Sequence, residues 1–313
     1  MKQIVATLAS RPYAGTADLQ AMIALVSARP AGRIADYPSI VDLQEMLGTP
    51  DVQENTWLWE DTGGQLLGFA IVRTTYGRLL FEIAPGESRD DVAAQMIGWG
   101  TERMQRARRA HGEPVTLEAS CRDNDTERVA LLKRHGFDAQ STRTLHMACP
   151  LNEPIPEPQL PEGFIIRHIA GEGEVEALVE LHRAAFDTGN LTVEDRLSWM
   201  RTPEYEQELD LVAVAPDGTL AAYAMCSISQ EENGLTGRKD GYTDPVATHP
   251  AFQRRGLARA LLLAGLHLLR QRGVETARLS TWGENIAMQQ TAKSVGFRVE
   301  STTTFFAKQV SQS

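Results

Sequence analysis

The chain writes one pattern twice. Gly136–Phe137 and Gly296–Phe297 stand 160 residues apart, within "ERVALLKRHGFDAQSTRTLHMA" (127–148) and "AMQQTAKSVGFRVESTTTFFAK" (287–308). Upstream, "TWLWEDTGGQLLGFAIVR" (56–73) parallels "LDLVAVAPDGTLAAYAMCS" (209–227). Each is a strand, a glycine-containing turn and a second strand, which predicts a hairpin. Earlier still, "ADLQAMIALVSA" (17–28) and "GEVEALVELHRAAF" (173–186) carry apolar residues at helical spacing. A repeat this long is a duplicated domain rather than a solenoid unit, and 313 residues suit two domains of ordinary size.

Between the copies lies "CPLNEPIPEPQLPEGF" (149–164), with prolines at 150, 154, 156, 158 and 161. Such a run excludes helix and ladder and favours an extended, semi-rigid linker. The sequence therefore predicts a domain over 1–149, a linker over 150–162 and a domain over 163–313. In each half the order is strand, one or two helices, hairpin, central strand, helix, strand, helix, strand. That order predicts an α/β (α+β) architecture, a mixed sheet flanked by helices.

Charge narrows the partners. A net charge of −10 argues against a phosphate-backbone binder, so no nucleic-acid partner is expected. The basic run "RMQRARRAHG" (103–112) reads as the solvated end of a helix. Three scattered cysteines form no CxxC pair, and no histidine spacing suits a metal, so no metal is expected and a reducing compartment fits. "MKQIVATLAS" is too short in its apolar run for a signal peptide and reads as a first strand. The longest apolar run, "ALLLAGLHLL" (260–269), falls short of a membrane span. A cytoplasmic protein without a membrane partner is the expectation.

The second half carries the informative turn. "GYTDPVATHPAFQRRGLARALLLAGLHLLRQRGV" opens as a strand, turns at His249–Pro250 and enters a helix near Gly256. Leu257, Leu261, Ala264 and Leu268 recur at three- and four-residue intervals, so one helical face is buried. The first turn of a helix offers unpaired N–H groups and the positive end of its dipole. Gly256 lets an anion approach the backbone, Ala258 keeps the next step small, and Arg254 and Arg255 add charge. The plain alternative is a glycine that eases a loop into a helix, flanked by solvated arginines.

With its surroundings, this stretch resembles the Gcn5-related N-acetyltransferase (GNAT) superfamily. That family's acyl-CoA loop, Q/R-x-x-G-x-G/A, is met as Gln253-Arg254-Arg255-Gly256-Leu257-Ala258, after the turn Val246-Ala247-Thr248-His249-Pro250. A later family element, N-x-x-A-x-x-L-Y-x-x-x-G-F, is partly matched by "NIAMQQTAKSVGF" (285–297). The resemblance implies two tandem GNAT-fold domains and acetyl-CoA, or another acyl-CoA, as co-substrate. It places the acyl-CoA in a slot where the strand through Val246 splays from the strand "ARLSTW" (277–282), with the pantetheine arm along Val246, Ala247 and Thr248, the pyrophosphate on the amides of Arg254 through Arg259, and Asn285 bonding the arm. The acceptor, a small-molecule amine, would attack the thioester directly, and a homodimer is plausible by family habit.

The pattern breaks in two places. The family's proton-donating tyrosine should fall at position 292, where the chain has Ala292; the first copy has Leu132. Tyr242 and Tyr223 are candidate donors by strand placement only, Asp244 is the candidate general base at the end of the central strand, and Glu284 is a weaker one. Cys226 reads as core rather than nucleophile. In the first copy, counting from Pro85 against Pro250, Ser88 replaces Gln253, Asp90 replaces Arg255 and Asp91 replaces Gly256. A carboxylate beside a pyrophosphate is repelled by roughly 1–4 kcal/mol at about 4 Å. The expectation is an N-acyltransferase active in its second half, with a first half that binds CoA weakly or not at all. A catalytically impaired acyl-CoA-binding or sensing protein and a protein N-acetyltransferase are the alternatives.

Overall fold

The structure, a computed structural model, describes residues 8–30, 33, 34, 36–86, 89–108, 115–189, 191–202 and 204–310. Residues 1–7 of the expected first strand, the end of the basic run beyond residue 108, and Ser88 lie outside the described residues. The chain divides into two compact units, residues 1–143 with 303–313, and residues 144–302.

Unit 1 runs β1 (Ala9–Pro12), α1 (Thr16–Ser27), α2 (Ile40–Met46), α3 (Pro50–Glu54), β2 (Thr56–Glu60), β3 (Leu66–Arg73), β4 (Arg78–Ile83), α4 (Arg89–Arg108), β5 (Val115–Arg122), α5 (Thr126–Arg134) and the start of β6 (Asp138–Pro150). The meander β1-β2-β3-β4 is antiparallel throughout. β4 meets β5 in parallel at one residue pair only, Arg78 opposite Glu118, and the two strands then part. The free edge of β5 is filled by the far end of the sequence: Thr303–Val310 pairs antiparallel with Arg122–Val115. Those residues belong to β13 (Arg298–Val310). One core, with Trp59, Phe81, Met96 and Phe137, lies beneath α4; another, with Met22, Leu43 and Phe69, lies beneath α1 and α2.

Unit 2 opens with Thr144–Pro150 of β6 and continues through β7 (Ile165–His168), α6 (Val175–Phe186), α7 (Val193–Met200), β8 (Asp210–Val214), β9 (Leu220–Met225), α8 (Gln230–Thr236), β10 (Asp240–Tyr242), β11 (Val246–Thr248), α9 (Leu257–Gln271), β12 (Thr276–Trp282) and α10 (Ile286–Ser294). One sheet has the order β11-β9-β8-β7, all antiparallel. In the other, β12 pairs antiparallel with Thr144–Pro150 on one edge and parallel with β10 on the other.

The boundaries expected at 149 and 163 do not follow these units. β6 and β13 are 13-residue strands, each running through the division, so it falls at Thr144 and Thr303 rather than at the prolines. Pro150 itself ends a ladder, opposite Thr276. A proline is tolerated at a strand end, where its missing N–H is not needed, and the next residue resumes donation, Leu151 N–H to Glu275 O at 2.8 Å.

Helix α9 buries more than the one face its spacing predicts. Leu257 and Leu261, with Ala264 and Leu268 partly buried, pack on the alanine-rich β8 and β9. Leu262, Leu266 and Leu269 pack on β12 and α10 with Phe297. Each such leucine contributes about 1.5–3 kcal/mol by leaving water. Close approach is allowed by Gly265, where a Cβ would stand 2.6 Å from Cys226 Sγ. Among the described residues no helix is long and apolar enough to cross a membrane.

Candidate active site

The central strand of the second copy changes partners midway. β10 pairs with β12 as far as Thr243, whose N–H reaches Arg278 O at 2.9 Å. Pro245 then lacks the N–H that would continue that ladder, and from Val246 the strand pairs with β9. Pro245 O accepts from Met225 N–H and His249 N–H donates to Ala221 O, so residues 245, 247 and 249 bond toward β9. In an antiparallel ladder alternate residues point the other way. The backbone groups of Val246 and Thr248 therefore face away from β9, toward the gap. Ala247, expected with them, turns its backbone to Tyr223 and its side chain into the core.

The gap is a cleft of about 430 Å³. Asp244, Pro245 and Val246 form one wall, Leu279, Ser280, Thr281 and Trp282 the opposite one, and Thr144, Phe186, Asn285 and Met288 complete it. Asp244 is half-buried, and its Oδ2 accepts the backbone N–H of Ser280 at 3.1 Å. That amide is one the partner switch leaves without its ladder. Burial pushes the Asp244 carboxyl up to about 6 despite this bond. Phe186, 45% exposed, is set by its contact with the His182 ring at 4.6 Å, and His182 Nδ1 sits 2.6 Å from the Tyr223 hydroxyl.

The loop beyond Thr248 is held by local chemistry. His249 Nδ1 accepts from Ala251 N–H, and Phe252 packs edge-on against Phe164 at 6.0 Å. Gln253, Arg254, Arg255 and Gly256 are exposed, with Arg255 lying 5.4 Å over the Phe252 ring. Arg254 and Gly256 take left-handed backbone, φ 61° and 82°. Nothing lies within 4 Å of where a Gly256 Cβ would stand, so the space above it is open as well as favouring glycine. The helix opens at Leu257, whose side chain is buried, followed by half-buried Ala258 and Arg259. Its first backward bond is Ala260 N–H to Gly256 O, which leaves the amides before it directed outward.

The remaining candidates fall differently. Asn285 borders the cleft and caps α10, its Oδ1 accepting from Met288 N–H at 3.0 Å. Tyr242 is not among the cleft-lining residues; its hydroxyl donates to Glu232 of α8, and burial with that carboxylate raises its pKa. Tyr223 is buried against His182, and Glu284 is exposed outside the lining. Ala292 is fully buried in the core beneath α10. Cys226 is core too, its thiol pushed up to about 12 by burial. Thr144, Phe186, Ser280, Trp282 and Met288 were not singled out from sequence. Ser280 and Trp282 lie on the strand 277–282 that the resemblance sets against Val246, and a phenylalanine closing a helical run was a signal for Phe186.

The first copy also departs at its turn. Leu257 begins its helix seven residues after Pro250, whereas Arg89 begins α4 only four after Pro85. Asp91 consequently lies inside the first turn of α4 rather than opposite Gly256, and Asp90 is bound by Arg134 at 2.9 Å. The helix starts sooner after its proline, and its first turn is acidic where that of α9 is not.

Residues 175–297 match the acetyltransferase (GNAT) family, and unit 2 thus carries a GNAT domain built around the cleft just described. The chain as a whole has the tandem GNAT fold: a tandem GNAT protein from the clavulanic acid biosynthesis pathway superposes with a TM-score of 0.70 at 18% identity, covering 98% of this chain and 100% of that one. Among sequence relatives, the mycothiol acetyltransferase of Thermobispora bispora is 32% identical over 167 residues, 52% of this chain and 56% of the relative. That of Nocardia farcinica is 27% identical over 281 residues, 85% of this chain and 87% of the relative. At the higher identity the chain spans about half the length of the relative it matches.

Proposed function

We propose that the chain is an acetyl-CoA-dependent N-acetyltransferase of a small-molecule amine, with its reaction centre in unit 2. The partner switch between Thr243 and Val246 supports this most strongly: it yields a cleft with the Val246 backbone turned toward it on one wall, a carboxylate beside it and a helix N-terminus beyond. The pantetheine arm lies along Val246 and Thr248 as an added strand does. The pyrophosphate sits on the amides from Arg254 through Arg259, with Gln253, Arg254 and Arg255 at its rim. A volume of about 430 Å³ accommodates a small ligand rather than a folded one. The relatives' names favour acetyl as the acyl group. Three free, buried cysteines suit a reducing cytoplasm.

In this reading Asp244 takes the amine proton as the nitrogen attacks the thioester carbonyl. The C–N bond forms, the tetrahedral adduct collapses, the C–S bond breaks and CoA departs as thiolate, which water protonates. A thiol with a pKa of about 8–9 leaves without a strong acid, so the missing tyrosine at 292 slows the reaction without stopping it. The burial of Ala292 is the observation that favours the second reading, an acyl-CoA-binding protein without turnover.

Calorimetric titration of acetyl-CoA into the wild type and Gly256→Asp tests the site. One equivalent in the wild type, with affinity in the variant weakened about 5- to 1,000-fold, is expected from like-charge repulsion of about 1–4 kcal/mol. Unchanged affinity sinks the placement. Release of free CoA thiol with a panel of amines separates the enzyme from the silent binder.

A further inference from the structure

In both units the central strand parts from its parallel neighbour, and the first copy fills the gap with its own side chain. In unit 1, Ala84 N–H donates to Leu67 O where unit 2 has His249 N–H to Ala221 O. Both donors stand one residue before a proline, so Phe81 takes the place of Val246, four residues before Pro85 and Pro250. By the same alternation the Phe81 carbonyl faces the gap left where β4 parts from β5. The helices after the gap correspond as well. Asp125 caps α5 by accepting from Arg128 N–H, as Asn285 caps α10 by accepting from Met288 N–H. Arg128 therefore stands where Met288 lines the open cleft, and Cys121 where Thr281 does.

Resting on the reading of unit 2 above, we propose that Arg128 occupies in unit 1 the place the pantetheine arm takes in unit 2, so the first site is closed by the protein itself. Its Nη2 donates to the Phe81 carbonyl at 2.5 Å, the bond an amide of an added strand makes at Val246. Its guanidinium lies 4.0 Å over the Phe81 ring. Glu82 neutralises it from 3.5 Å, and Glu82 is gripped in turn by Arg29 through two bonds of 2.5 and 2.8 Å. Arg29 is anchored to the carbonyls of Asp36 and Pro38 at 2.7 and 2.9 Å. Arg128 and Arg29 are each only 8% exposed. A buried guanidinium stacked on Phe81 and bonded to its carbonyl is not displaced by a neutral amide, because removing it loses that bond and leaves the buried Glu82 with Arg29 alone. Repairing the shortened phosphate turn alone accordingly does not restore binding.

Cys121 reports on the plug. It is 6% exposed beside Arg128, and burial holds its thiol near 11. Alkylation with N-ethylmaleimide, followed by peptide mass mapping, reads each cysteine separately in the wild type and in Arg128→Ala. Cys121 is expected to react at least tenfold faster in the variant while Cys149 and Cys226 keep their wild-type rates. Equal Cys121 rates overturn the proposal; so does parallel acceleration of all three, which marks a general prop. Where Arg128→Ala fails to fold, Arg128→Met, the residue of the second copy, takes its place. Acetyl-CoA stoichiometry supplies the second arm: the wild type binds one equivalent, and two overturns the closure. A wild type that binds none removes the function proposed for unit 2, while the cysteine result still decides whether Arg128 fills the gap.

Discussion

Asp244 and Ser280 face each other across the mouth of the cleft, the carboxylate of one holding the backbone N–H of the other at 3.1 Å. The bond does by side chain what the strand itself stops doing at Pro245. The same carboxylate thus closes the broken ladder and borders the space where an acceptor amine would react.

Asp244 must be ionised to accept a proton, and burial raises its pKa to about 6. With a saturating amine series, kcat/KM attributable to this group should fall tenfold per pH unit below about 6 and level off above it. Asp244→Asn should lower kcat about 10²- to 10⁴-fold and abolish that limb. An unchanged acid limb in the variant assigns the base elsewhere.

The same raised pKa carries a stability cost. The folded state holds the Asp244 proton more tightly than the unfolded chain, whose value is 3.8, so the penalty is absent below about 4 and complete above about 6. Asn keeps an acceptor for Ser280 without the charge. Asp244→Asn should gain about 1–3 kcal/mol at pH 8, with the gain vanishing near pH 4, in urea titrations at both values.

Restoring the family tyrosine should not restore an acid. Ala292 is fully buried among Leu262, Leu266 and Phe297, with no room for a ring. Ala292→Tyr should destabilise by about 1–3 kcal/mol or more through overpacking. A higher turnover at unchanged melting temperature contradicts this packing.

Gly265 and Cys226 form a second coupled pair, since a Cβ at 265 would stand 2.6 Å from the sulfur. Gly265→Ala should cost about 1–3 kcal/mol. Adding Cys226→Ala removes the clash, so the double variant should be more stable than the sum of the singles predicts. Additive effects mean that α9 shifts freely.

What sequence revealed was what short-range chemistry writes. The hairpins announced themselves by glycine turns, and the loop at Gly256 by the glycine that its left-handed φ demands. Asp244 was visible as a carboxylate at a strand end. Thr144 and Phe186 were not, because they reach the cleft from far along the chain and no local spacing signals such a meeting. Tyr242 was misjudged by strand placement: its hydroxyl goes to Glu232 on a helix the repeat does not contain. The shortened turn after Pro85 was hidden by counting without a gap, which put Asp91 opposite a glycine it does not replace. Arg128 had no signal at all, since an arginine in a helical run reads as a solvated face until the strand beside it parts.

Residues 303–310 complete the sheet of the unit that is written first. During synthesis β5 leaves the ribosome some 180 residues ahead of them, a wait on the order of 10–40 s at ordinary elongation rates. Through that interval the nascent chain carries an unsatisfied strand edge, the kind that recruits foreign strands. The half translated first is therefore the half that matures last, and a ribosome stalled in the proline run leaves a sticky intermediate rather than a finished module.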